Sequence, residues 1–388
     1  MSELVILGAG QAAAQLAASL RQGGYAAPIR MIGDEPFPPY QRPPLSKKFL
    51  ADRLAPDRLY LRPEKFWHEH QITLDLGVRA SAIDRGARRV ALSDGRELTF
   101  ETLVLAIGTR AGVPPLPGLD LVGVFFVRRI EDIQRLRPAL DAAQRVVIVG
   151  GGYIGLEVAA VMRAEGRTVA VLEAEDRVMK RVTSPVVSAF FDRFHRAREV
   201  DIKLGTRLAA VEGEGHVQAV RLADGKELPA DLVLIATGAR PNDELAAQAG
   251  LACEDGVAVD EHARTSDPAI YAIGDCTRFP SGRYGRRVRL ECVQNAIDQA
   301  KAAASAIVGK PQAYDPVPWF WSDQYEVKLQ MAGLCDGFEE AKTVGDPAGG
   351  RFSVEYRRGG RLIAVDAIND ARAYMSGRQR LAEETARA

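Results

Sequence analysis

Two strand-to-helix turns built on glycine stand on this chain, and each is answered further on by an acidic residue closing an apolar run. The first is Leu4-Val5-Ile6-Leu7 leading into Gly8-Ala9-Gly10-Gln11-Ala12-Ala13, with Asp34 placed 24 residues past Gly10 (34 − 10). The second is Val146-Val147-Ile148-Val149 leading into Gly150-Gly151-Gly152-Tyr153-Ile154-Gly155, with Glu173 placed 21 residues past Gly152 (173 − 152). In such a unit one glycine makes the tight turn, the next lets the backbone approach a pyrophosphate, and a helix begins there. Four unpaired N–H groups and the positive end of the helix dipole then face the phosphates. The acidic residue takes the ribose hydroxyls. A chain that takes two dinucleotides is suited to moving a hydride between them.

The surroundings of both turns agree with this reading. Leu16 and Leu20 after the first turn, and Val158, Val161 and Met162 after the second, carry a helical period. Gly23-Gly24 and Gly166 mark where those helices stop. Three apolar strands ending in glycine punctuate the rest: Leu103–Gly108, Leu232–Gly238 and Ile270–Gly274, the last followed by Asp275. Asp94-Gly95 and Asp224-Gly225 read as hairpin turns. The order is fingerprint, hairpin and strand–Gly, the same again, then strand–Gly–Asp. One nucleotide-binding domain is therefore expected to be inserted into another. The expected boundaries are 1–111 and 240–314 for the discontinuous domain and 112–239 for the insert. Residues 315–388 follow as a small C-terminal α+β domain after the Pro-rich stretch from Tyr314 to Pro318. The fold class is α/β with two Rossmann-like domains.

Lys+Arg and Asp+Glu both number 51, so no net charge draws the chain toward nucleic acid or a membrane. Apolar runs stop well short of a bilayer span, and Met1-Ser2-Glu3 opens into a strand without a basic leader. A cytoplasmic protein is expected. Cys253, Cys276, Cys292 and Cys335 show no C-x-x-C and no metal-ligand spacing, so neither a disulfide framework nor a metal site is expected.

Four further stretches carry a resemblance: Arg42-Pro43-Pro44-Leu45-Ser46-Lys47, Ala272-Ile273-Gly274-Asp275, Glu291–Ala296, and Pro318-Trp319-Phe320-Trp321-Ser322-Asp323-Gln324. With the two fingerprints they make the whole chain resemble the two-dinucleotide flavoprotein reductases of glutathione reductase-like fold. Within these it is similar to the NADH-dependent ferredoxin reductases of oxygenase systems, the putidaredoxin reductase-like and biphenyl dioxygenase ferredoxin reductase-like enzymes. The resemblance implies FAD in the discontinuous domain and NADH in the inserted one. It places FAD on Gly8, Gly10, Ala12, Asp34, Arg42, Lys47, Val78, Arg128, Asp275, Val293 and Trp319. It places NADH on Gly150, Gly152, Ile154, Gly155, Glu173 and Gly238. Lys47 is expected at the reactive edge of the flavin, where a cation favours the reduced anionic form, and Glu157 is expected to pair with it. Glu173 favours NADH, because its carboxylate repels a 2′-phosphate.

Disulfide reductases of this fold use a C-x4-C pair, which is missing here, and peroxidase-like relatives use an early cysteine, whereas none precedes Cys253. A one-electron acceptor is left, and the expected partner is an acidic 2Fe–2S ferredoxin feeding a monooxygenase or dioxygenase. Arg283, Arg286, Arg287 and Arg289, with Arg278 nearby, are the expected docking cluster. A solvated loop unrelated to binding stays open for them, as does mere domain packing for Trp321. The competing functions are an NADH oxidase, a rubredoxin- or nitrite-reductase-linked reductase, and a non-enzymatic NADH-sensing flavoprotein. A monomer is expected over a dimer.

Overall fold

The first apolar run, Leu4–Leu7, is wholly buried and forms the middle strand of a five-stranded parallel sheet. It lies between Ile29–Gly33 and Thr102–Leu105, with Ile72–Leu76 and Ile270–Ala272 at the two edges. Strands buried on both faces read as continuous apolar runs, which is why alternation is missing from these segments. The chain leaves the middle strand toward one side and returns on the other. This topological switch puts the Gly8–Gly10 turn at the carboxyl end of the sheet, where ligands of open α/β sheets bind. The computed structural model describes residues 3–386.

The second fingerprint builds the same arrangement. Arg145–Val149 lies between Thr168–Leu172 and Leu232–Ile235, with Asp201–Lys203 and Val124–Phe125 outermost, all parallel. One difference separates the sheets. The outer strand beside Leu232–Ile235 comes from upstream of the fingerprint, whereas its counterpart Ile270–Ala272 comes from far downstream. Both Asp-Gly turns close antiparallel hairpins, with Gly95 and Gly225 at φ of +86°. The C-terminal segment is an antiparallel sheet in the order Trp319–Gln324, Val327–Gly333, Arg361–Ile368, Arg351–Arg358, Glu340–Asp346, followed by helix Ala371–Ala386.

The chain divides into two compact units, one of residues 1–41, 56–110 and 240–318, the other of residues 42–55, 111–239 and 319–388. Residues 42–55 thus group with the inserted segment, and side chains account for it. Arg137 donates to the carbonyls of Phe49 and Leu54, Arg53 pairs with Asp141, and Ser46 and Lys47 both reach Glu157. Asp315 stays with the first unit because its carboxylate accepts from Ser281 Oγ at 2.6 Å and from the Arg283 N–H at 3.0 Å.

Candidate functional site

In the first unit, Gly8 has a φ of +111°, and a Cβ there would lie 2.1 Å from the Ala106 carbonyl oxygen. Only glycine makes that turn. Gly10 caps helix Gln11–Gln22, and a Cβ on it would meet nothing within 4 Å. A glycine cap brings no side chain to the first-turn N–H groups, and that turn holds no acidic residue. The first-turn donors thus meet no capping side chain, as an anion-binding helix start requires. Ala12 is buried against the Gly274 turn, where a Cβ on Gly274 would come within 3.1 Å of its methyl. Val78 donates its N–H to Gly33 O at 2.9 Å, which fixes it beside the exposed Asp34. Asp275 follows strand Ile270–Ala272 in a short turn, and Thr109 Oγ1 reaches it at 3.5 Å. Gln299 shapes that turn by accepting from the Gly274 N–H at 2.7 Å and from Thr277 Oγ1 at 2.9 Å. Val293 opens helix Val293–Ile307.

The second unit repeats the cradle. Gly150 also has a φ of +111°, and its Cβ would lie 2.4 Å from Ala236 O. Gly152 caps helix Tyr153–Ala164 with open space in front of it and no acid in the first turn. A Cβ on Gly155 would fall 2.0 Å from Gly150 O, so the third glycine serves close packing of helix on strand. Ile154 is exposed at the helix start, and Gly238 has a φ of +104°. Glu173 ends the next strand, and its two oxygens accept from the Gly151 and Glu175 N–H groups at 2.8 and 2.9 Å. Arg177 is committed to its own loop: it donates to Thr183 O, Ser188 Oγ and Lys180 O at 2.9, 2.6 and 2.9 Å. It is thus not a spare cation for a 2′-phosphate. Both cradles fit a dinucleotide pyrophosphate.

The same unit holds a buried ionic cluster. Pro43 and Pro44 start a 3-10 turn over Pro43–Ser46, which presents Ser46 and Lys47 side by side. Glu157, 3 % exposed, lies in the second turn of helix Tyr153–Ala164. Its Oε2 accepts from Ser46 Oγ at 2.6 Å and pairs with Lys47 Nζ at 2.7 Å, while Oε1 accepts from Ser322 Oγ at 2.6 Å. A buried carboxylate costs several kcal/mol unless it is paired and bonded, and here each oxygen has a donor (about 1.5–3 kcal/mol net per charged bond). Arg42 donates to Arg128 O at 2.7 Å, so these two expected residues also meet. Trp319 packs 5.8 Å from Trp321, centroid to centroid, beneath the Arg378 guanidinium.

The sequence matches the model of the pyridine nucleotide-disulphide oxidoreductases over residues 2–300 and that of the reductase C-terminal domain over residues 319–388. The chain belongs to the pyridine nucleotide-disulphide oxidoreductase family. It is 43% identical over 380 residues to a ferredoxin–NAD(P)(+) reductase of a Sphingomonas species, covering 97% of this chain and 92% of the relative. It is 40% identical over 367 residues to a rubredoxin–NAD(+) reductase of Pseudomonas putida, covering 94% and 95%. Its fold superposes with a TM-score of 0.95 at 41% identity on the reductase in the covalent putidaredoxin reductase–putidaredoxin complex, covering 98% of this chain and 93% of that one. Members of this family bind FAD and use a nicotinamide nucleotide, and this chain is an oxidoreductase of that kind.

The disulphide chemistry in the family's name has no counterpart among the described cysteines. All four are free thiols, and burial pushes Cys253 up to about 11 and Cys276, Cys292 and Cys335 up to about 12. None is a thiolate at neutral pH. No group of three or more His, Cys, Asp or Glu side chains among the described residues is placed to hold a metal, and no described helix is long and apolar enough to cross a membrane. Of the four arginines expected at a docking face, Arg287 and Arg289 are held by named partners. Arg287 donates to Val259 O and Arg278 O at 2.6 and 3.1 Å, and Arg289 pairs with Asp255 and Glu291. Arg283 is half-buried and Arg286 is exposed, on the hairpin of Thr277–Ser281 with Arg286–Val288.

Ser46, Ser322 and Gln299 are polar residues that motif reading did not single out. Ser46 and Ser322 lie inside quoted motifs, and for Ser46 the available signal was a hydroxyl beside the expected Lys47.

Proposed function

We propose that the chain is an FAD-dependent NADH:ferredoxin oxidoreductase that supplies a 2Fe–2S ferredoxin, and through it an oxygenase. The observation that carries this reading is the doubled cradle: two glycine-capped helix starts, each with open space before its unpaired N–H groups, each at the carboxyl end of its own parallel sheet. Gly8, Gly10, Ala12, Asp34, Val78, Asp275 and Val293 would hold FAD from the first unit. The resemblance assigns Arg42, Lys47, Arg128 and Trp319 to FAD as well. FAD held there would supply acceptance of a hydride from a nicotinamide and release of single electrons. Gly150, Gly152, Ile154, Gly155 and Gly238 would seat NADH, and Glu173 would take its ribose hydroxyls. Lys47 would stabilise negative charge as it develops, and Glu157 would hold Lys47 in reserve. With no C-x4-C pair and no cysteine before Cys253, the chain has no cysteines spaced for an internal disulphide step, which supports an external acceptor.

A small acidic iron–sulfur protein suits the exposed Arg286 better than a neutral one. The resemblance to a rubredoxin reductase keeps a rubredoxin as the second reading, with the same flavin chemistry and a different docked protein. The proposed reductase is a cytoplasmic monomer. Anaerobic titration of the yellow protein tests the proposal. One equivalent of NADH should bleach the flavin bands and NADPH should do so far more slowly. A flavin indifferent to NADH would overturn it.

A further inference from the structure

Beyond Ser322 the hydrogen bonding continues into the C-terminal sheet. Ser322 and Gln324 are two apart on strand Trp319–Gln324, so both side chains take the same face, and both are fully buried. Gln324 Nε2 donates to Ser322 Oγ at 3.2 Å, and Gln324 Oε1 stands 2.8 Å from His195 Nε2. His195 lies in the last turn of helix Pro185–Arg196 and is also fully buried. We propose that His195, Gln324 and Ser322 form a positioning chain for Glu157, holding its Oε1 so that the carboxylate stays oriented while Lys47 is released to act. The inference rests on the reading of Lys47 and Glu157 as part of the hydride-transfer site.

The direction of every bond follows from the groups. Glu157 only accepts, so Ser322 spends its proton on Oε1 and must accept from Gln324. The amide then turns its nitrogen to Ser322 and its oxygen to His195, which must donate from Nε2. The other ring nitrogen, Nδ1, is buried with no hydrogen-bond partner among the described residues, as suits the bare nitrogen of a neutral ring. Burial lowers the proton affinity of His195 and keeps the ring neutral. All three bonds thus donate toward Glu157. An amide in the middle does not pass protons, so this chain orients and does not conduct.

Its consequence falls on Lys47. Ser46 and Ser322 give each carboxylate oxygen a hydroxyl donor, so Glu157 remains bonded on both sides when the ammonium leaves. Among the described residues the Lys47 ammonium has besides only a long 3.4 Å contact to Pro43 O, and its side chain keeps 18% exposure. It is the exchangeable partner. Without Ser322 the bare Oε1 draws on Lys47 instead and withholds it.

The test uses the FAD-loaded full chain and the variants Ser322→Ala, Ser322→Thr and Gln324→Met. Two quantities are read: the rate of flavin bleaching by NADH in stopped flow, and the flavin midpoint potential against a reference dye. One lost hydrogen bond to a charge corresponds to about a tenfold change. Ser322→Ala should therefore slow bleaching at saturating NADH about tenfold and move the potential negative, with half-saturation by NADH unchanged within about twofold. Ser322→Thr, which keeps the hydroxyl, should recover most of the rate, and Gln324→Met should fall between. Wild-type rate and potential in Ser322→Ala, or Ser322→Thr as slow as alanine, would overturn the chain. If Ser322→Ala does not retain FAD, Gln324→Met decides, and wild-type behaviour there overturns the proposal. The wild type in the same experiment separates the two claims. A wild-type flavin that NADH cannot bleach sinks the proposed function, whereas a bleached wild type with an unaffected variant sinks only the positioning chain.

Discussion

Replacing Glu173 by alanine should close the gap between NADH and NADPH, and the geometry gives the size of the effect. An ionised carboxylate has about four acceptor positions. Two of them are used inside the protein, by the Gly151 and Glu175 N–H groups. Two are left, matching the two hydroxyls of an adenosine ribose. Bonds to a charged acceptor contribute about 1.5–3 kcal/mol net, and a half-buried site belongs at the low end. Loss of both removes about 3 kcal/mol, or roughly 150-fold in kcat/KM for NADH. NADPH should lose far less, because its 2′-phosphate no longer faces a carboxylate, a repulsion of about 1 kcal/mol per charge pair near 4 Å in water. The ratio of the two should therefore shrink by at least about tenfold. Steady-state kcat/KM for both nucleotides with ferricyanide as acceptor measures it, with a thermal melt to show that the loop survives. An unchanged ratio would refute the placement of the ribose on Glu173.

Other outcomes follow from single positions. Gly152→Ala meets nothing and keeps an extended φ of −81°, so the thermal midpoint should hold while the KM for NADH rises at least about tenfold. Gly155→Ala should instead cost stability, about 2 kcal/mol, because its methyl would press on Gly150 O. Burial raises Asp366 from 3.8 to about 6, so its folded form binds a proton more tightly than the unfolded chain does. Its stabilising share is present below about pH 4 and lost as pH rises through about 6, a change of about 3 kcal/mol. Denaturant unfolding of wild type and Asp366→Asn at pH 4 to 7 should show the variant gaining on wild type across that window, and a constant difference would contradict it. Arg286→Glu should lower ferredoxin-coupled turnover and spare ferricyanide reduction, and equal loss of both would remove Arg286 from docking. Arg287→Glu tests stability and not docking, since its guanidinium ties two backbone carbonyls.

Much of the fold was legible because it rests on local rules. Runs such as Leu4–Leu7 and Val146–Val149 followed by glycine can hardly be anything but buried parallel strands entering a phosphate cradle, and they are the middle strands of two matching sheets. The Asp-Gly hairpins were equally local. What a one-dimensional pattern does not carry is the identity of the opposite face. The i, i+2 spacing of Ser322 and Gln324 puts both on one side of a strand, but nothing in it says that Glu157 and His195 lie there. The arginine run shows the same limit from the other direction. Spacing marks it as basic, while Asp255 and the Val259 carbonyl, which engage two of its members, come from elsewhere in the chain. Residues 42–55 lie between the first fingerprint and its sheet's later strands, yet Arg137, Asp141 and Glu157 hold them to the other unit.

The central claim is that electrons leave this chain singly to an iron–sulfur protein. NADH oxidation by the purified flavoprotein, with cytochrome c as terminal acceptor, should be slow alone and rise steeply when a 2Fe–2S ferredoxin from the same source is added. The rise should fade with salt, as steering between opposite charges requires. NADH consumption that is equally fast without ferredoxin would make the chain an oxidase and contradict the account.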